Sequence, residues 1–267
     1  MSQGSSFGLD GRVAIVTGGG RGIGRGIALA LAEAGADVAI ADIDLPNAEA
    51  TAKEILALGR RALLVRVDVT DSQSIGAGVA EVLAKLGGVD ILVNNAGVVQ
   101  DNTDAVVTAE DFDRCYEVNL KGIWSMTSAL VPHFAERGEG KIVNIASIAG
   151  RRGGALSPYS ASKAAAISLT QSLATTLGAK NINVNAVCPG LLWTPMWEKL
   201  EGMFGGSTDP AVVEKRTAFD AYLKASCPLR REQTPEDIGR AVVFLTSAAA
   251  KNITGQSLNV DGGIQMN

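Results

Sequence analysis

The chain has 267 residues, of which 46% are hydrophobic and 19% are charged, and its formal net charge is −4. This apolar content excludes a disordered chain, and the mildly acidic balance predicts no affinity for nucleic acid or anionic membranes. No stretch of about 18 apolar residues is free of charged residues or Gly, so no membrane span is expected. Because the first residues lack the apolar segment of a signal peptide, the sequence predicts a cytoplasmic protein.

The cysteine and histidine content argues against disulfide and metal chemistry. Three cysteines, Cys115, Cys188 and Cys227, lie far apart in the sequence and are odd in number, which predicts no disulfide framework. The single histidine, His133, leaves too few nitrogen ligands for a zinc site. We therefore expect a protein without a bound metal.

Short apolar runs alternate with segments of helical period along the whole chain. The runs predict strands at Arg12–Thr17, Asp37–Ala41, Ala62–Val67, Ile91–Asn94, Lys141–Ala146, Asn183–Val187 and Ser257–Val260. The periodic segments predict helices at Gly24–Ala34, Asn47–Leu58, Ser72–Leu86, Ala109–Glu136, Pro158–Gly178 and Pro235–Thr246. Because the apolar runs are continuous, the strands are expected to be parallel and covered on both faces. This pattern predicts an α/β fold, a single doubly wound Rossmann-like domain over residues 1–267.

One stretch, Leu191–Cys227, shows no clear period and contains several glycines. It follows a predicted strand, and long loops inside compact domains usually have a function. An apolar helix between glycines there could close over the nicotinamide and exclude water. We predict that 191–227 is a substrate-binding lid, with a core-covering or subunit-interface role as the alternative.

A glycine-rich turn joins the first predicted strand to the first helix. The segment TGGGRGIG places Gly18, Gly22 and Gly24 at this turn, with Arg21 and Ile23 between them. Glycines at such spacing allow a tight turn and close approach of the backbone to a pyrophosphate. The following helix N-terminus offers free N–H groups to phosphate oxygens. The turn predicts a dinucleotide site.

The second predicted strand is followed by an acidic residue. Asp42 lies 24 residues beyond Gly18, where a carboxylate accepts the ribose hydroxyls of adenosine and repels a 2′-phosphate. Arg21 could instead reach a 2′-phosphate and so favours NADP, but the residue after Asp42 is Ile43 rather than a basic residue. The sequence therefore predicts NAD as the cofactor rather than NADP.

A tyrosine and a lysine four residues apart indicate acid–base chemistry. Tyr159 and Lys163 share one face if their segment is helical, and Ser147 ends the preceding strand. An ammonium beside a phenol is expected to lower the phenol pKa, which suits a general acid or base near neutral pH. The turn after Ser147 carries Arg151 and Arg152, which either hold a carboxylate or phosphate or are simply solvated.

These motifs together resemble the short-chain dehydrogenase/reductase family along nearly the whole chain. The motifs are TGGGRGIG at 17–24, NNAG at 94–97, Asn119 in VNLKG, Ser147, YSASK at 159–163 and CPGLLWTPM at 188–196. The TPMW segment is similar to the acetoin/butanediol and polyol dehydrogenases of this family. The resemblance implies a seven-stranded parallel sheet, a small-molecule substrate and a homotetramer.

The resemblance also implies a role for each site residue. Tyr159 would exchange a proton with the substrate oxygen, Lys163 would hold the ribose and lower the Tyr159 pKa, Ser147 would steady the substrate oxygen, and Asn119 would anchor a water. Asp68 and Val69 would flank the adenine, and Asn95, Ala96 and Gly97 the adenosine side. The nicotinamide half would be lined by Pro189, Gly190, Leu192 and Thr194.

From these observations we expect an NAD-dependent oxidoreductase that acts on a secondary alcohol or ketone, such as a small diol, hydroxyketone or polyol. The first alternative is a 3-oxoacyl-thioester reductase of the acyl-carrier-protein type, which would need NADPH and a basic docking surface. The second is a non-catalytic NAD-sensing or scaffold protein. Neither nucleic acid nor membrane is expected as a partner.

Overall fold

A computed structural model describes residues 7–101, 107–154, 156–204 and 216–266, with the backbone alone at 201–204. Within this part of the chain the structure contains one sheet of seven parallel strands. The strands are β1 Val13–Thr17, β2 Asp37–Asp42, β3 Ala62–Arg66, β4 Ile91–Asn94, β5 Gly140–Ile145, β6 Ile182–Pro189 and β7 Ser257–Val260. This architecture confirms the predicted doubly wound fold, with strand ends shifted by one or two residues.

Helices cover both faces of the sheet. They are α1 Gly22–Glu33, α2 Leu45–Ala57, α3 Ser72–Leu86, α4 Ala109–Tyr116, α5 Gly122–Arg137, α6 Ser157–Leu177, α7 Pro195–Phe204, α8 Thr217–Ser226 and α9 Pro235–Thr246. The apolar residues of α3, α5 and α6 form one core layer, and those of α1, α2 and α9 form the other. Among the described residues, no helix combines the length and apolar character needed to cross a membrane.

The strand order is β3-β2-β1-β4-β5-β6-β7, so the direction of chain progression reverses between β1 and β4. In open α/β sheets, a crevice for ligands forms outside the carboxyl ends of the strands at such a reversal. The glycine-rich turn follows β1, Asp42 ends β2, and Ser147 follows β5. The topology therefore brings the predicted site residues to one edge of the sheet.

The predicted helix Ala109–Glu136 is not continuous. Between α4 and α5 the chain forms a π-helical turn, Glu117–Lys121, in which the N–H of Gly122 donates to the oxygen of Glu117, five residues back. Such a turn inserts one residue into the helix, and it is often found at functional sites. Here it contains Asn119, whose side chain is fully buried.

The predicted lid segment contains two helices, where the sequence indicated one apolar helix between glycines. Helix α7 follows Thr194 directly, and α8 precedes Cys227. Residues 205–215 of the segment lie outside the described residues, as do the side chains of 201–204.

Candidate active site

A cleft of about 1000 Å³ opens at the carboxyl ends of the strands. It brings together every residue that the sequence assigned to the cofactor, from both halves of the chain. They are Gly18, Arg21, Gly22, Ile23, Gly24, Asp42, Asp68, Val69, Asn95, Ala96, Gly97, Tyr159, Lys163, Pro189, Gly190, Leu192 and Thr194. Ser147 lines the same cleft, whereas Asn119 lies behind the lining.

The glycine-rich turn has the shape of a phosphate-binding loop. A Cβ atom at Gly24 would overlap the main-chain oxygen of Gly18, so only glycine fits where α1 crosses the turn. Gly18 and Gly22 have φ values of +62° and +54°, which a residue with a side chain rarely adopts. The N-terminus of α1 thus opens into the cleft, with exposed Arg21 beside it. This cradle fits a dinucleotide pyrophosphate.

Asp42 is held rigidly at the end of β2. Its Oδ2 atom accepts a hydrogen bond from the main-chain N–H of Gly20 at 2.9 Å, and its Oδ1 accepts one from Asp44 N–H at 2.9 Å. Each carboxylate oxygen keeps a lone pair for a further donor. The sequence reasoning assigned no role to Gly20, although a Cβ at this position would lie 2.9 Å from Asp42 Oδ2.

The NNAG segment is fixed against the end of β1. The Nδ2 atom of Asn95 donates to the main-chain oxygens of Thr17 and Gly18, at 2.9 and 3.0 Å. In return, Thr17 Oγ1 accepts hydrogen bonds from the N–H groups of Asn95 and Ala96, both at 3.0 Å. Sequence reasoning missed Thr17, yet its place at the strand end beside Gly18 could have indicated it.

The predicted catalytic residues converge on the cleft from two elements. Tyr159 lies in the first turn of α6, and its hydroxyl is hydrogen-bonded to Ser147. Ser147 in turn accepts a hydrogen bond at 3.1 Å from the N–H of Ala149, which fixes the serine at the start of a short 3₁₀ turn. The two hydroxyls are therefore placed to contact one substrate oxygen together.

The electrostatics of the tyrosine–lysine pair differ from the prediction. Burial raises the pKa of the Tyr159 phenol, and the hydrogen bond with Ser147 opposes this only in part. Burial likewise lowers the pKa of Lys163 to about 8. Burial therefore outweighs the lowering expected from Lys163, whose ammonium lies 5.7 Å from the phenol ring centroid and donates to Ile145 O at 2.8 Å.

Asn119 is bound to protein groups through its whole side chain. Its Nδ2 atom donates to Val98 O and to Ser162 Oγ, both at 2.9 Å, and its Oδ1 accepts from Val98 N–H at 2.8 Å. Asn119 therefore connects the segment after β4 to α6, the helix that carries Tyr159. Both amide hydrogens of Asn119 are thus used by protein groups, so a water held by this side chain would have to donate to Oδ1.

The segment after β6 forms the far wall of the cleft. A Cβ atom at Gly190 would lie 2.5 Å from Gln233 Oε1, and this oxygen accepts the N–H of Leu191 at 2.7 Å. Gln233, which sequence reasoning missed, thus fixes the strand exit that leads to Leu192 and Thr194. These residues continue directly into α7.

Helix α7 is fixed to α8 by aromatic contacts. The buried ring of Phe219 receives Trp193 and Trp197 edge-on, with ring centroids 5.3 and 5.1 Å away. The guanidinium of Arg216 lies over Trp193 at 5.0 Å. Met196, Trp197 and Leu200 face the cleft, as expected for a segment that covers it.

Known proteins resemble this chain along its length. A family model described as "Enoyl-(Acyl carrier protein) reductase" matches residues 18–265. Galactitol 2-dehydrogenase of Agrobacterium fabrum is 43% identical, with 96% of this chain and 98% of that protein covered. L-2,3-Butanediol dehydrogenase of Corynebacterium glutamicum is 40% identical, with 96% and 99% covered. A solved 7α-hydroxysteroid dehydrogenase, in complex with NADH and 7-oxo glycochenodeoxycholic acid, superposes with a TM-score of 0.87 at 35% identity and full coverage of both chains.

The family match, the relatives and the fold agree with one another. In this chain a seven-stranded parallel sheet carries a dinucleotide-shaped cleft with a tyrosine–lysine pair in its lining, and the superposed steroid dehydrogenase binds NADH. The chain therefore belongs to the short-chain dehydrogenase/reductase family of oxidoreductases, which interconvert alcohols and ketones with a nicotinamide cofactor.

Proposed function

We propose that this protein is an NAD-dependent dehydrogenase of a small diol, hydroxyketone or polyol, with Tyr159 as its general acid and base. One observation carries the proposal: a single cleft is lined by the Asp42 carboxylate at one end and by hydrogen-bonded Tyr159 and Ser147 at the other. The first feature selects the cofactor, and the second acts on the substrate oxygen.

The choice of NAD over NADP rests on Asp42. Its carboxylate is 9% exposed and held by two main-chain N–H groups, so it cannot turn away from a ribose beside it. A 2′-phosphate would be repelled by this fixed negative charge, whereas ribose hydroxyls would donate to it. Arg21 is exposed and long, so it can reach the pyrophosphate without offsetting Asp42.

In alcohol oxidation, Tyr159 would take the hydroxyl proton of the substrate, while Ser147 donates a hydrogen bond to the same oxygen. When bound, the nicotinamide ring supplies the hydride acceptor for the carbinol hydrogen. Lys163 lies close to Gly97, in the segment after β4. A Cβ atom added to Gly97 would be 3.4 Å from the Lys163 Nζ atom. Its ammonium therefore places positive charge between Tyr159 and the wall assigned to the adenosine. Asn119 positions α6 and does not line the cleft.

The direction of the reaction depends on the protonation of Tyr159. Burial raises the pKa of this phenol, so the protonated form dominates at neutral pH and suits ketone reduction. Alcohol oxidation needs the phenolate and should increase as the pH rises. The observed ionisation would belong to the Tyr159–Lys163 pair rather than to one residue.

The substrate class is supported by relatives that are named for polyols and diols, galactitol and L-2,3-butanediol. A 3-oxoacyl-[acyl-carrier-protein] reductase of Thermotoga maritima is 36% identical over 96% of this chain, which keeps the thioester reductase as the second candidate. That reaction would favour NADPH, which Asp42 disfavours. A non-catalytic NAD sensor is less consistent with the hydrogen-bonded Tyr159 and Ser147.

The decisive experiment is a panel of alcohols with NAD or NADP, read by absorbance of the reduced cofactor. Oxidation of butane-2,3-diol, galactitol or sorbitol with NAD would support the proposal. Reduction of acetoacetyl thioesters with NADPH, without alcohol oxidation, would favour the reductase. If NADH binds and no substrate is turned over in either direction, the protein is a sensor or scaffold.

The proposal includes a cytoplasmic homotetramer with 191–227 as the substrate lid. Support for association comes from apolar side chains that remain uncovered in one chain, such as Phe112 on α4 and Trp124 on α5, which are 45% and 53% exposed. Helices α4, α5 and α6 share one side of the sheet, where a partner copy would cover them. Support for the lid comes from Met196, Trp197 and Leu200 in the cleft lining.

A further inference from the structure

The substrate end of the cleft is positively charged. Its described lining contains the cations Arg114, Arg152, Lys163 and Lys199. The carboxylates in the described lining are those of Asp42 and Asp68, which follow β2 and β3 at the nucleotide end. A substrate that enters beside Tyr159 therefore meets cations without a facing carboxylate in the described lining.

Three of these four cations are already bound to protein groups. Arg114 lies 2.6 Å from Asp101 Oδ2, and Lys199 forms an ion pair with the other oxygen of the same carboxylate. Lys163 donates to the main chain of Ile145 at 2.8 Å and belongs to the catalytic site. Asp101 thus neutralises much of the charge on the α4 and α7 sides of the cleft.

Arg152 differs from these residues and from its neighbour. Arg151 donates to the side chain of Asn259 at 3.2 Å and to the main chain of Ser257, which directs it toward β7. Arg152 is exposed, lines the cleft, and has no carboxylate within 4 Å among residues 7–101, 107–154, 156–204 and 216–266. The two residues that follow it, Gly153 and Gly154, are exposed and also line the cleft. Arg152 is a planar cation available for a bidentate contact with an anion.

The rest of this end of the cleft is apolar. The wall between Tyr159 and the lid is lined by Leu156, Met196, Trp197, Leu200 and Tyr222. The described lining beyond Ser147 includes no Asn, Gln, Asp or Glu side chain that would accept the several hydroxyls of a long polyol. Such a surface suits a short carbon skeleton with one charged end.

We propose that the preferred alcohol carries a carboxylate, and that Arg152 binds this group while Tyr159 acts on the carbinol oxygen. Arg152 then determines specificity between a hydroxy acid and a neutral diol of equal length. This inference rests on the proposed NAD-dependent alcohol oxidation, and it places short hydroxy acids ahead of the neutral diols and polyols as the preferred substrates of the same site.

The test compares two substrates of matched size, 3-hydroxybutyrate and butane-2,3-diol, through the ratio of their kcat/KM values with NAD. In Arg152→Gln this acid-to-diol ratio should fall at least about fivefold, because a charge-assisted hydrogen bond is lost. Arg152→Lys keeps the positive charge but loses the planar guanidinium that can bind a carboxylate through two hydrogen bonds. Its acid-to-diol ratio should therefore lie between those of the wild type and Arg152→Gln. The matched control is Arg240→Gln, which removes the same charge from an exposed site on α9, outside the cleft.

A binding measurement keeps the inference testable if a variant fails to fold or neither substrate turns over. Butyrate and its neutral analogue butyramide are titrated into the NADH complex of the wild-type protein, with tryptophan fluorescence as readout. Trp193 and Trp197 lie in or beside the cleft wall. Butyrate should bind at least about fivefold more tightly than butyramide, and Arg152→Gln should abolish this difference.

The outcomes separate this inference from the proposed function. The inference is overturned if butyrate and butyramide bind equally and Arg152→Gln leaves the acid-to-diol ratio at the wild-type value. If the diol is nevertheless oxidised in that case, the proposed alcohol oxidation stands. If neither alcohol is oxidised but butyrate binds selectively through Arg152, the anion site stands and the diol proposal fails. An equal fall of the ratio in Arg240→Gln would also overturn the inference.

Discussion

Asp42 accepts a hydrogen bond at 2.9 Å from the main-chain N–H of Gly20, so the carboxylate proposed to bind the ribose is fixed to the glycine-rich turn. The contact joins two parts of the site that are 22 residues apart in sequence. A carboxylate fixed in this way cannot reorient to accept a 2′-phosphate, so under the proposed function it would select NAD by its position as well as its charge.

This relationship predicts the cofactor preference. The wild-type protein should prefer NAD over NADP by at least about tenfold in kcat/KM, a difference of roughly 1.4 kcal/mol. Asp42→Ala should weaken NAD binding and relieve the repulsion of NADP, so that the two cofactors become nearly equivalent. Steady-state kinetics with both cofactors measure the change, and Glu49→Gln removes an exposed acid of α2 as the control. Equal use of the two cofactors by the wild type would contradict the assignment.

The acid–base step predicts a kcat effect at Tyr159. Tyr159→Phe should lower kcat by about 10²–10⁴-fold, because the hydroxyl acts mainly in the transition state. NADH binding, measured by fluorescence titration, should remain close to that of the wild type. Tyr116→Phe is the matched control, since it retains the ring that stacks on Phe112 at 4.5 Å. A Tyr159→Phe protein with most of its activity on the best alcohol would refute the mechanism.

The buried lysine predicts a dependence of stability on pH. The Lys163 pKa is about 8 in the folded state, below its ordinary value of 10.5, so the folded protein loses the proton first as pH rises. The cost of burying the charge is present in full below pH 8 and is relieved between about pH 8 and 10.5. The free energy of unfolding should therefore rise, relative to Lys163→Met, by about 2 kcal/mol between pH 7 and 9.5.

Denaturant unfolding of both proteins at the two pH values measures this difference. Lys251→Met replaces an exposed lysine at the end of a 3₁₀ turn and should not alter the slope with pH. If the free energy of unfolding changes with pH in the same way in the wild type and in Lys163→Met, the Lys163 pKa is the same in the folded and unfolded states.

The glycine turn predicts a steric effect that depends on position. Gly24→Ala places a methyl group against the oxygen of Gly18, so NADH binding should be lost and the free energy of unfolding should fall by about 1–3 kcal/mol. Gly76→Ala, in the exposed middle of α3 with open space around the new methyl, should instead be neutral or stabilising by up to about 1 kcal/mol. Calorimetry measures the stability of both variants, and NADH fluorescence measures their cofactor binding. Intact NADH binding by Gly24→Ala would show that the turn can adjust to the added methyl group.

The proposed tetramer would cover the exposed apolar residues on α4 and α5. Light scattering should give about four times the 27.5 kDa chain mass at micromolar concentration. Trp124→Arg should reduce this mass, because it places a charge in the face that a partner would cover. Leu56→Arg is the matched control on the exposed side of α2, and it should leave the mass unchanged. A wild-type mass of one chain would contradict the tetramer.

The fold class and the set of residues around the cleft could both be predicted from the sequence. Continuous apolar runs mark strands buried on both faces, and their alternation with helical periods leaves few topologies. The glycine spacing, Asp42 and the four-residue step from Tyr159 to Lys163 are local patterns, so they could be read without knowledge of long-range contacts. Every residue that the sequence assigned to the cofactor lines the cleft in the structure.

The tertiary structure alone decided the electrostatics and the supporting contacts. Burial depends on distant packing, so the raised pKa of Tyr159 and the bond of Lys163 to Ile145 could not follow from helical spacing. The same holds for Asn119, because its partners Val98 and Ser162 lie 21 and 43 residues away. It also holds for Arg152, since only the folded surroundings show that this cation has no carboxylate partner among the described residues. Local spacing specifies which groups can share a face, whereas only the assembled fold specifies what surrounds them.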